Sequence, residues 1–136
     1  MVKLPLVELV QTGNFTNGSF VFPNAWYSIQ AQKPGGQVIG HIGYGVSPLN
    51  DRIYVDGLSV EREFRKSGYA SSMLLAVAVQ CSPAGNLMPL TPLHQVYASN
   101  GFWHKLRKGA IPGLAVTQDL RVSEMDEEAK RWRRPT

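Results

Sequence analysis

The chain has little of what would tie it to a membrane, an oxidising compartment or a metal. Its single cysteine is Cys81, which excludes an internal disulfide and agrees with a reducing compartment. No segment approaches the roughly 20 apolar residues that a bilayer span needs. The apolar start from Val2 to Val10 is broken by Lys3, Pro5 and Glu8, so it does not read as a signal peptide. Together these absences predict a soluble, cytoplasmic protein with no membrane partner. The three histidines, His41, His94 and His104, have no ligand-like spacing and no cysteine or carboxylate cluster beside them, so no metal is expected. In such a compartment the sequons Asn14-Phe15-Thr16 and Asn17-Gly18-Ser19 read as chance matches.

What is present is a chain of 136 residues, enough for one core and too short for two, so a single domain over 1–136 is expected. A net charge of +4 and a pI near 9.4 suggest an anionic partner. Much of the excess sits in Lys105, Arg107, Lys108 and the closing Lys130-Arg131-Trp132-Arg133-Arg134. Nucleic acid is therefore a candidate partner, though not the favoured one. The acidic Glu124, Asp126, Glu127 and Glu128 precede the basic residues, an order that complements the dipole of a helix over about 123–134. Trp132 among arginines leaves an interface open as the other reading.

Hydrophobic periodicity divides the chain. Leu4 to Val10 alternates loosely, Gly13 to Gly18 reads as a turn, and Trp26 to Gln32 as a second strand. Pro34-Gly35-Gly36 marks a hairpin turn. The strand Gln37 to Val46, with glycines at 40, 43 and 45, and the strand Arg52 to Val60 complete an antiparallel meander. Ala70, Met73, Leu74, Val77, Ala78 and Cys81 then recur at helical spacing, which predicts a helix from Ser67 to Cys81. Leu87 to Leu90 reads as a short strand, and Thr91-Pro92 as a helix start with Thr91 as cap. Gly101 should stop that helix, and Phe102 to Arg107 with Leu114 to Arg121 should form a closing strand pair.

The richest stretch joins Leu58-Ser59-Val60 through Arg65-Lys66-Ser67-Gly68-Tyr69-Ala70 to the apolar helix. The first N–H groups of a helix have no intrahelical partner and carry the positive end of its dipole, so they suit a diphosphate. Gly68 and Ala70 give clearance, while Arg62, Arg65 and Lys66 add positive charge. An ordinary strand-to-helix turn containing a glycine is the plainer reading.

A second motif, Tyr97-Ala98-Ser99-Asn100-Gly101-Phe102, favours the richer one. With Leu-x-Val and Arg-x-x-Gly-x-Ala before it, the chain resembles the GNAT N-acetyltransferases over about residues 36–121. The resemblance implies an α/β fold with a mixed, mostly antiparallel central sheet flanked by helices. It also implies acetyl-coenzyme A as cosubstrate, bound by residues 58–60 and 65–70, and direct acetyl transfer to a primary amine. Family members usually carry one or two helices between their first two strands, and here those helices are reduced or absent. That side would stay open or be covered by the C-terminal helix, a second subunit or a large acceptor. Phe20, Phe22 and Trp26 would then lack cover, which favours a homodimer.

In the family, a backbone N–H of the strand before the phosphate loop binds the thioester carbonyl, and the resemblance puts this donor at Val60 or a neighbour. Gly57 would mark the strand irregularity there, or it merely relieves crowding. Tyr97 matches the general acid, with a packed, wet tyrosine as the alternative. The base stays open among Asp56, Glu61, His41 and Tyr44, acting directly or through water. Cys81, at the far end of the helix, reads as a small core residue. A coenzyme-binding module without turnover and an enzyme acting on charged tRNA remain the competing readings, and the acceptor is not legible.

Overall fold

The computed structural model describes residues 4–15, 26–65, 67–82, 86–93 and 100–133. Five strands form one sheet in the order β1 (Glu8–Phe15), β2 (Trp26–Gln32), β3 (Val38–Val46), β4 (Ile53–Val60) and β5 (Leu90–Pro92). β1 to β4 pair antiparallel in succession, and β5 lies parallel to β4. The β2–β3 hairpin closes over Gly35 and Gly36 at φ of 108° and 100°, a region that favours glycine. A parallel pair needs a crossover, and helix α1 (Tyr69–Cys81) supplies it between β4 and β5. Helices α2 (Asn100–Arg107) and α3 (Met125–Arg133) follow, with 3-10 turns at Arg62–Phe64 and Val122–Glu124. The mixed, mostly antiparallel sheet is the one that the sequence predicts. Among the described residues no helix is long and apolar enough to cross a membrane.

Strand alternation sorts the core. Ile29 and Ala31 of β2, Ile42 and Tyr44 of β3, and Ile53 and Val55 of β4 meet Met73, Leu74, Val77 and Ala78 of α1 in one buried cluster, which Trp103 and Leu106 of α2 extend. Each Ile, Leu, Val or Met side chain there contributes on the order of 1.5–3 kcal/mol on full burial. The helical face expected for α1 is therefore the buried one, with Ala70 and Cys81 at its ends only partly covered. Tyr54 points the other way, to Leu93, Leu120 and Trp132.

α3 is held on that second face by a polar clamp. The Tyr54 hydroxyl donates to Glu128 and accepts from Trp132 Nε1 at 2.9 Å. Arg131 donates to both Glu128 oxygens at 2.9 Å and also to Asp51. Burial pushes the Glu128 carboxyl up, but hydrogen bonds from Arg131 and Tyr54 and the charge of Arg52 outweigh it and hold the group below its ordinary value. Trp132, the residue that leaves an interface open in the sequence, packs edge-on against Tyr54 with ring centres 5.9 Å apart.

Several expected elements differ. β1 lies later than Leu4 to Val10, because Glu8–Phe15 is the part that pairs with β2, and Gly13 belongs to it rather than to a turn. Leu87 is outside a strand, and Thr91-Pro92 does not open a helix but lies in β5. Leu90 N–H donates to Ala115 C=O, so by alternation the N–H that Pro92 lacks would point to the same loosely paired segment, where no ladder needs it. Phe102 to Arg107 is helix α2 rather than a strand, since burying Trp103 and Leu106 one turn apart covers the core while His104 and Lys105 stay exposed. Gly101 therefore sits in a first helical turn instead of ending a helix. Leu114 to Arg121 forms no strand: it meets the chain at and just after β5 through isolated bridges, Val116 with Leu90 and Leu120 with Leu93, and through a hydrogen bond from Thr117 Oγ1 to Thr91 Oγ1 at 2.9 Å.

Candidate functional site

β4 changes character at its middle. Up to Val55 it is paired on both edges, with Ile53, Tyr54 and Val55 beside Leu90, Thr91 and Pro92. β5 ends there, so among the described residues Asp56 to Val60 run on with β3 alone. The β3–β4 register shifts in the same stretch: Asp56 pairs with Gly43 and Ser59 with His41, which leaves Gly57 and Leu58 opposite Ile42. Gly57 has φ of 69°, and a Cβ there would meet nothing within 4 Å. Its conformation, not crowding, is the reason for the glycine, and it forms a β-bulge. Glu61 N–H donates to Ile39 C=O at 2.7 Å, so alternation turns the Val60 amide to the opposite edge, the one β5 does not reach.

The chain then folds into the loop that precedes α1. Phe64 N–H donates to Glu61 C=O at 2.9 Å, closing the 3-10 turn, and Arg65 Nε donates to Val60 C=O at 3.0 Å, bracing the loop against the strand end. Gly68 caps α1 at φ of 85°. The first intrahelical bond runs from Ser72 N–H to Gly68 C=O at 3.0 Å, so the amides of Tyr69, Ala70 and Ser71 have no partner within the helix. Beside them lies a cavity of about 320 Å³, lined by Val60, Phe64, Arg65, Gly68, Tyr69, Ala70, Ser71 and Phe102. That is the lower end of the ligand-pocket range. Phe102 comes from α2, so both sequence motifs meet at this cavity.

The structure brings together Val60, Arg65, Gly68, Tyr69 and Ala70 and separates others. Leu58 packs with the core, Ser59 is exposed on the opposite face beside His41, and Ser67 is exposed on the loop. Asp56 is half-buried just before the bulge, whereas Glu61 is exposed beyond the strand end. Tyr44 leaves the set of candidate bases: it is buried on the core face toward Cys81, and burial foremost raises its pKa well above the ordinary value. Burial likewise raises the Cys81 thiol, which suits a packing role. A Cβ on Gly68 would stand 3.3 Å from Pro5 Cδ, so the loop glycine makes room for the N-terminal segment as well. Tyr97, Lys66 and His94 lie outside the described residues, as do Phe20 and Phe22. Sequence reasoning missed Phe64, Ser71 and Lys33, whose Nζ lies 5.4 Å from the Phe64 ring centre. Phe64 and Ser71 adjoin the motif and could have been included, but nothing in the sequence marks Lys33.

Comparison with known proteins adds to this geometry. The profile of the Acetyltransferase (GNAT) family matches residues 11–107. Among solved structures, one described as a candidate acetyltransferase from Deinococcus radiodurans R1 is similar, at 18% identity and a TM-score of 0.48, with 88% of this chain and 91% of that chain covered. No curated protein matches the sequence.

Proposed function

The chain belongs to the GNAT acetyltransferase family, whose profile spans more than half of it, and we infer that it binds acetyl-coenzyme A and transfers the acetyl group directly to a primary amine. One observation carries this reading. The half of β4 that β5 does not reach leads from a bulge straight into a cavity beside the first amides of α1, which have no partner within the helix. The diphosphate sits on the amides of Tyr69, Ala70 and Ser71, and the pantetheine arm runs along the open edge of β4. The Val60 amide donates to the thioester carbonyl oxygen. The amine nitrogen attacks the carbonyl carbon, the carbon–sulfur bond breaks, and the thiolate takes a proton from Tyr97, whose role comes from the family motif. Asp56, beside the bulge, is better placed than Glu61 to receive the amine's proton, directly or through water.

Ala70→Glu tests the donor site. A carboxylate in the first turn of a helix favours the helix dipole, so the fold should persist, yet it fills the cavity with charge of the ligand's own sign. Calorimetry should show coenzyme A binding to the parent protein and at least 10²-fold weaker binding to the variant. Equal affinity would remove the diphosphate from this loop. Turnover of acetyl-coenzyme A with a panel of primary amines then separates an enzyme from a module that only binds.

A further inference from the structure

Lys33 stands where the sequence gives no cue, at the entry to the β2–β3 turn. Its backbone is fixed twice, by its own N–H to Gln37 C=O at 2.8 Å and by Gly36 N–H to its C=O at 2.9 Å. β3 pairs with β4 as far as Gly40 opposite Val60, so this hairpin tip lies beside the end of β4, where the phosphate loop begins. The Lys33 ammonium lies 5.4 Å from the centre of the Phe64 ring. Phe64 lines the cavity and meets Tyr69 edge-on at 5.5 Å. A cation from a different element thus stands over an aromatic ring that forms part of the cavity wall.

Coenzyme A carries two separate anionic groups, a diphosphate and a monoester on the ribose 3′ oxygen. Helix amides suit the diphosphate, whose oxygens spread over several donors. The monoester is more compact, with a charge near −2 at neutral pH, and a lysine ammonium is a matching point charge. Arg65 is exposed, and its Nε is already engaged, donating to Val60 C=O at 3.0 Å. We propose that Lys33 reads the 3′-phosphate of coenzyme A and so discriminates the coenzyme from its 3′-dephospho form. This rests on the donor assignment above.

The test measures, by calorimetry, the affinity of the parent protein, Lys33→Gln and Lys33→Arg for coenzyme A and for 3′-dephospho-coenzyme A. The parent should prefer coenzyme A by about tenfold, and added salt should shrink that preference. Lys33→Gln should weaken coenzyme A binding by about tenfold while leaving the dephospho form unchanged, and Lys33→Arg should restore most of the preference. Equal weakening of both ligands would make Lys33 a packing residue of the hairpin. A parent without preference, or a Gln variant that keeps it, would also overturn the proposal while leaving the donor assignment intact. If the parent binds neither ligand, the donor assignment itself falls, and the role of Lys33 falls with it.

Discussion

Replacing Gly40 by alanine probes the joint between sheet and loop. A Cβ on Gly40 would stand 2.1 Å from the Ser59 carbonyl oxygen and 3.0 Å from Val60 Cα. A carbon–oxygen contact needs about 3.3 Å, so β3 and β4 must part by about 1 Å. Every obstructing atom belongs to the backbone, so no side chain can rotate out of the way. The strand end is also pinned, by Glu61 N–H to Ile39 C=O at 2.7 Å and by Arg65 Nε to Val60 C=O at 3.0 Å. Overpacking of this kind costs about 1–3 kcal/mol, which for a chain of this size lowers the melting midpoint by roughly 3–10 °C. The displaced residues include Val60, which lines the cavity, and a misplacement of about 1 Å can cost about 10²-fold in rate. Circular dichroism melts and acetyl transfer kinetics read the two effects. Gly101→Ala is the control, because a Cβ on that exposed helical glycine meets nothing within 4 Å and should stabilise by up to about 1 kcal/mol. A Gly40→Ala protein with the parent's midpoint and rate would show that the close approach does not fix the end of β4.

Two further outcomes are expected. Because the Glu128 carboxyl titrates below its ordinary value of 4.5 in the folded protein, its contribution is complete above that pH and lost as pH falls through the lower, folded value. Glu128→Gln should lower the midpoint by an amount equivalent to about 1–3 kcal/mol at pH 7 and flatten its fall below pH about 4.5, and an unchanged acid slope would refute the clamp. Tyr97→Phe should cut turnover by about 10²-fold with little change in coenzyme affinity, whereas parent-like turnover would mean that the thiolate leaves unassisted or through water.

Where the sequence was legible, several local signals agreed. β2 was marked by turn residues on both sides, β4 ended where a glycine-containing loop began, and α1 carried an apolar stripe of helical period that its neighbours did not contradict. The phosphate loop was legible for the same reason: its function depends on backbone amides at a helix start, and a helix start leaves a local trace. The bulge was half-legible. A glycine within a strand signals either a left-handed residue or a close approach, and β4 and β3 show one example of each. Gly57 is left-handed with open space around it, whereas Gly40 has a neighbouring carbonyl where its Cβ would lie.

The region after α1 could not be read locally, because the signals there fit two structures equally and the rest of the fold chooses between them. Thr-Pro suits a helix start, and it also suits the end of a short edge strand whose missing N–H faces no ladder. Phe102, Trp103 and Leu106 satisfy alternation at 102 and 106 and helical spacing at 103 and 106. The core decides between them: α2 as a helix buries Trp103 and Leu106 against the main cluster, which a strand running through the same residues would split between two faces. Lys33 is the limiting case. Its neighbour Phe64 is 31 residues away in sequence, and only the pairing of β3 with both β2 and β4 brings the two together. Backbone chemistry at the site is thus written in short motifs, while the side chains that could select among its ligands are supplied by sheet register.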